Sequence, residues 1–145
     1  MPSAYLIVVG FLSLLAQTVL LRELSVAFYG VELIYTLALG AWLLFGAFGA
    51  MTGRRAGIPS AARIRFLLLL VSVVLPLEVA FIRASRLLVS GVPGAYLPLH
   101  TQIGLMCACL LPVGLMLGLL FQWAATAYVA PDRSLAAAYG IESLG

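Results

Sequence analysis

The residues able to do chemistry in this chain are few and lie close together along it. Arg22 and Glu23 are neighbours, Glu32 follows shortly after, and Glu78 precedes Arg83 and Arg86. All six stand within or at the edge of apolar runs, where a charge is costly and faces a cavity, an opposite charge or both. Three acids and three arginines can neutralise one another as ion pairs while the long Arg stems carry their heads outward. The same set, joined by His100, can instead line an outward-facing pocket for a small cationic ligand, with Glu78 and Glu32 as counter-charges. Gly10, Ser13 and Gln17 share one helical face, and the Gln17 amide suits either a hydrogen bond to a neighbouring helix or a ligand contact.

The rest of the inventory excludes more than it offers. All eight basic residues are arginine, so mechanisms built on a P-loop or Schiff-base lysine have no residue to use. His100 is the single histidine, so neither a haem held by two imidazoles nor a histidine metal cluster fits within this chain alone. Cys107 and Cys109 are two apart, which on a helix points them about 200° from one another; this is core filling rather than a C-x-x-C motif. No cofactor, metal site or nucleic-acid partner is expected, and a metal or haem would need a partner chain.

These residues are carried by a chain of 145 residues that is 64% hydrophobic and 9% charged, with a mean hydropathy of +1.17. A water-soluble domain carries about a quarter charged residues. The partner this composition demands is membrane lipid. A spanning helix needs about 20 mostly apolar residues, and such windows lie at about 5–28, 31–52, 66–82 and 103–129. The first is not a cleaved signal peptide, because no basic residue precedes it and no small-residue cleavage pattern ends it. The sequence therefore predicts an all-α polytopic integral membrane protein, a single membrane domain of four transmembrane helices plus a short fifth helical segment.

Tyr29-Gly30 predicts a tight antiparallel hairpin between the first two spans, and the stretch 53–60 (Gly-Arg-Arg-Ala-Gly-Ile-Pro-Ser) separates the second and third. Arg54, Arg55, Arg63 and Arg65 crowd that second connection, whereas Arg22, Arg83 and Arg86 flank the other side. By the positive-inside rule the four-Arg side is cytoplasmic, with both ends of the four-span unit there and Arg133 adding to it. Tyr5, Trp123 and Tyr128 then fall near the inner interface and Tyr29, Tyr35 and Tyr96 near the outer one, in keeping with aromatic belts. A bacterial inner membrane with a cytoplasmic N-terminus is the expected location. In that orientation the six charges and His100 converge on the outer third of the bilayer.

Helices in lipid gain nothing from the hydrophobic effect between them, so small residues that let backbones approach must hold the bundle. Gly46, Gly49 and Gly53 in the second span, and Gly114 and Gly118 in the fourth with Gly104 and Ala108 before them, are the expected packing positions. They are not a phosphate-cradling loop, which would have to follow a strand. Pro76 and Pro112 lack an amide donor and should kink or loosen their helices, as in the broken helices of some transporters. Segment 134–145 reads as a capped, small-residue helix too short to span. It is either the beginning of a further helix of a longer protein or a short interfacial or partner-docking helix.

The string Ala16-Gln-Thr-Val-Leu-Leu-Arg-Glu-Leu-Ser-Val-Ala-Phe-Tyr-Gly-Val-Glu32, followed by Leu39-Gly-Ala-Trp-Leu-Leu-Phe-Gly-Ala-Phe-Gly49, resembles the opening of the spermidine-synthase-like polytopic membrane proteins. In that family a multi-helix membrane domain precedes a soluble aminopropyltransferase-like domain. The likeness continues through Leu75-Pro-Leu-Glu with Arg83 and Arg86, Leu117-Gly-Leu-Leu-Phe121 and Ala138-Tyr-Gly-Ile-Glu-Ser-Leu-Gly145. The resemblance implies that this tail opens a further transmembrane helix, and that any catalytic domain lies downstream or on a partner. The Gly-Arg-Arg loop resembles, more loosely, the signature loop of major-facilitator transporters, without its acidic residue. Neither a βαβ pattern nor a glycine-rich strand-to-helix turn is present, so the chain itself is not expected to be an enzyme.

Three functions follow as expectations. The first is a non-catalytic membrane domain or subunit that anchors or docks other membrane chains, or further copies of itself, through glycine-lined faces. The second is a transporter or half-transporter for a polyamine-like cation. The third is a membrane subunit of a redox complex.

Overall fold

The computed structural model describes residues 2–29, 32–57, 59–90, 97–129 and 134–145, without the side chains of residues 2 and 86–90. The described residues fold into five helices: α1 (Pro2–Ala27), α2 (Glu32–Arg55), α3 (Ala61–Ser90), α4 (Leu99–Tyr128) and α5 (Leu135–Glu142). No strand occurs among the described residues. Among the described residues four segments are long and apolar enough to cross a membrane: Ser3–Ala27, Glu32–Arg55, Ala61–Ser85 and Leu99–Tyr128. The protein is an all-α, multi-pass membrane protein with a short fifth helix. Large apolar side chains such as Leu14, Leu43, Phe48, Phe66, Leu69 and Leu77 face outward, as a bundle surrounded by lipid requires.

Local chemistry sets the helix ends. Glu32 opens α2 and Arg54 and Arg55 close it, each charge at the end of the helix dipole that favours it. Gly57 then takes the left-handed conformation (φ 76°) that ends a helix cheaply only in glycine. After α1 the left-handed position belongs to Tyr29 (φ 64°), an uncommon place for an aromatic residue. The Ser60 side chain accepts from the Arg63 N–H at 3.3 Å and starts α3; Ser134 does the same for α5 by accepting from the Ala137 N–H at 3.3 Å.

The helices outrun the hydropathy windows. α3 begins at Ala61 rather than at residue 66 and continues to Ser90 rather than 82, and α4 begins at Leu99 rather than 103. Gly53, Arg54 and Arg55 belong to α2, and Arg63 and Arg65 to the opening turns of α3, not to a loop. Apolar windows stop at a charge, whereas backbone hydrogen bonding does not. Arginine is a good helix former, and its long stem lets it end in water while its Cα stays helical. Pro76 and Pro112 lie inside α3 and α4 without ending either.

α4 is the hub and touches every other helix; its most extensive partner is α2. α1 and α2 are joined by a short connection but touch only lightly, so the tight hairpin is one of connectivity more than of packing. The reason is glycine. A Cβ on Gly49 would overlap the Leu115 backbone, and one on Gly118 would overlap the Gly46 carbonyl. A Cβ on Gly114 would stand 3.0 Å from Phe45 Cβ, and one on Gly53 3.1 Å from Gln122 Cβ. Four of the five expected packing glycines are thus turned into one α2–α4 seam, while Gly46 joins it through its carbonyl and has nothing within 4 Å of the place a Cβ would take. Around α4 the core gathers Leu20 and Leu24 of α1, Ile34 of α2, Val71 and Ile82 of α3, and Leu110 and Leu120 of α4 itself.

Candidate functional site

The charged residues singled out from the sequence do not form one cluster. Glu23 and Arg83 meet in a two-pronged pair, Arg83 Nη2 donating to Glu23 Oε1 at 2.7 Å and Nε to Oε2 at 2.9 Å. The Arg83 side chain is 69% exposed and that of Glu23 17%, so the pair sits at the bundle's edge and ties α3 to α1. Arg22, one residue and about 100° further round α1, is exposed and faces away from this pair. With Gln17, Thr18 and Tyr35 it lines a separate hollow of about 360 Å³ between α1 and α2. Gln17 is half-buried there and makes no interhelical hydrogen bond among the described residues. Glu32 and His100 are both exposed, at the first turns of α2 and α4. The Arg86 side chain lies outside the described residues.

Glu78 stands apart from all of these. It precedes Arg83 by five residues, which is about 140° round the helix and about 7.5 Å along it, so one faces α4 while the other reaches α1. The residue is buried and lies against Cys109 and Val113 of α4, and among the described residues neither carboxyl oxygen has a partner at hydrogen-bond geometry. Val113 lies halfway along α4, so Glu78 sits deeper than the outer third. Pro112 stands between its two α4 neighbours and deprives the Ala108 carbonyl of its helical donor.

A groove of about 370 Å³ brings together a different set of polar residues. Its floor is the α2–α4 seam, where Gly46, Gly114 and Gly118 bring two backbones together and leave no side chains to fill the trough. Ser13 of α1, Trp42 of α2, Phe121 and Gln122 of α4, and Tyr139 and Glu142 of α5 line it. α5 completes the wall because Ala138 is fully buried among Leu6, Ala124 and Ala125. Gly10 has no Cβ to hold off the Glu142 backbone, whose carbonyl comes directly against it. The Tyr139 ring leans on Phe121 with centroids 4.9 Å apart and planes at 41°. The contacts of Leu135 near Ala125 and Val129, of Tyr139 at Phe121 and of Glu142 at Gly10 show α5 running back along α4, beside the first third of α1.

Of the groove's polar residues only Ser13 stood out in the sequence, on the face it shares with Gly10. Gln122 had a signal in the four-residue spacing that puts it on the stripe of Gly114 and Gly118. Glu142 and Tyr139 could be added only once α5 was known to turn back onto the bundle. Among the described residues no three of His, Cys, Asp and Glu converge on a point that could hold a metal ion. Comparison with family models, with curated proteins and with solved structures finds no match to this chain.

Proposed function

We propose that this chain is a non-catalytic membrane domain that acts by binding within the bilayer, and that its primary ligand is a small molecule held in the groove between α1, α2, α4 and α5. One observation carries this reading: a bundle apolar almost throughout gathers Ser13, Gln122, Tyr139 and Glu142 around a single ligand-sized hollow. Polar groups at membrane depth are costly and mark functional sites by default, and small-molecule sites occupy about 300–1,000 Å³. A carrier or the ligand-holding part of a larger transporter fits such a groove. Trp42 lines it, so in a Trp123→Phe background Trp42 emission reports occupancy. A saturable change on titrating small amines, alcohols and acids into protein in nanodiscs supports the reading; an emission indifferent to all three classes sinks it.

A second reading, docking of another membrane chain, rests on different glycines. Gly104 has open space around it, and with Ala108 it forms an exposed small-residue pair at i, i+4 on α4, the spacing that lets a neighbouring helix approach. In this reading the chain is the membrane part of an assembly like the spermidine-synthase-like proteins it resembles, and catalysis resides outside these helices. Gly104→Ile should abolish association with a partner or second copy, measured by cross-linking in native membranes; unchanged association excludes this face. The inner membrane of a bacterium with the N-terminus inside is the placement that the arginines at the α2–α3 connection support.

A further inference from the structure

We infer that the groove is built for an organic ammonium ion, a primary amine carried on a short alkyl stem; this rests on the small-molecule reading above and names its ligand class. Among the described residues Glu142 is the one charged residue lining the groove, and it is half-buried and has no ion-pair partner. An unpaired carboxylate in such a setting calls for a cation. The neighbouring polar atoms also suit a donor. Gln122 Nε2 donates to Thr126 Oγ1 at 3.2 Å, which leaves its Oε1 as an acceptor; the Ser13 hydroxyl can accept as well. An ammonium head offers three donors and no acceptor.

Three aromatic rings complete the match. Trp42, Phe121 and Tyr139 line the same hollow as Glu142, and aromatic faces attract desolvated ammonium groups. Val9 and Leu117 supply apolar wall for a stem. The alternatives fit poorly: an anion would meet a carboxylate with no basic residue beside it among the described residues of the wall, and a hard divalent cation needs six or more oxygens where one carboxylate is present. The amine could arrive free from the aqueous phase or as the head of an aminophospholipid, since the recognising chemistry is the same.

The test is titration of hexylammonium, hexanol and hexanoate into the Trp123→Phe protein in nanodiscs of phosphatidylcholine, whose head carries no net charge and no N–H donor, following Trp42 emission. Hexylammonium is expected to saturate at a concentration at least about tenfold below that of hexanol, with hexanoate weakest. Glu142→Gln keeps the backbone that packs on Gly10 and should erase the preference for the ammonium, leaving the hexanol curve in place. Tyr139→Leu, a second variant that keeps the carboxylate, should weaken the ammonium several-fold and the alcohol little. If hexanol or hexanoate binds as well as hexylammonium, the cation inference is overturned while the groove stands. If Trp42 responds to none of them, both fall. Repeating the titration with phosphatidylethanolamine in the disc separates the two sources. A curve displaced to higher hexylammonium shows the lipid amine already in place, and an unchanged curve assigns the site to a free amine.

Discussion

The Gly46 carbonyl oxygen occupies the place that a methyl group on Gly118 would need. Two backbones meet there with no side chain between them, and Ala50 N lies 3.0 Å from the same position, so the neighbour cannot step aside by changing a rotamer. Gly118→Ala is expected to destabilise the bundle by about 1–3 kcal/mol, as overpacking does elsewhere. Gly40→Ala is the control, because nothing lies within 4 Å of a Cβ there. Thermal unfolding of both variants in one detergent checks the pair, and equal midpoints would remove the seam from the account of stability.

Glu78 gives the opposite expectation. Among the described residues its two oxygens are buried without a hydrogen-bond partner, and a buried polar group left unsatisfied costs about 1–3 kcal/mol. Glu78→Leu should therefore raise stability by a similar amount, read as a higher unfolding midpoint. A lower midpoint would reveal a partner that the carboxyl holds in the native protein.

The seating of α5 depends on a missing side chain on α1. A Cβ at Gly10 would overlap the Glu142 carbonyl, so Gly10→Leu should lift α5 from the bundle while α1 to α4 keep their packing. Leu6 and Ala138 share one buried cluster. A Leu6→Cys/Ala138→Cys pair, with Cys107 and Cys109 replaced, should form a disulfide readily with Gly10 in place and much less with Leu there. Equal yields would show that α5 is held by other contacts.

The orientation carries its own test. Ala56 lies exposed just after α2 and His100 lies exposed at the start of α4, at opposite ends of the bundle. With the arginine-rich end inside, a membrane-impermeant thiol reagent applied to intact cells should label His100→Cys and spare Ala56→Cys. The reverse pattern would invert the topology.

The class of fold was legible because it depends on an average: 64% hydrophobic residues in long uninterrupted stretches can be accommodated only by spanning helices. The seam left a trace as well, since Gly49 and Gly53, and Gly114 and Gly118, each repeat at the four-residue spacing of one helix face. The neighbours were not legible. Chain order suggested that α2 would lie mainly on α1, whereas its glycine face selects α4. The charged residues were easily found and wrongly gathered, because depth in the bilayer can be estimated from sequence and direction round the helix only in part. Arg22 and Glu23 share a depth and face different neighbours, and Glu78 and Arg83 belong to different interfaces of one helix. The groove was the least legible feature, since it exists only where α5 doubles back and sets Tyr139 against Phe121.

The glycine seam also decides which parts of the bundle are free to rearrange. Main chains in direct touch have no soft side chains to absorb a shift, so α2 and α4 must travel together like two planks nailed along their length. The opposite wall of the hollow, α5, is held differently: Ala138 sits among Leu6, Ala124 and Ala125, Tyr139 leans on Phe121, and the Glu142 carbonyl rests on Gly10. Any change in the width of the cleft therefore falls to the side chains by which α5 meets α1 and α4, and not to the two fixed boards.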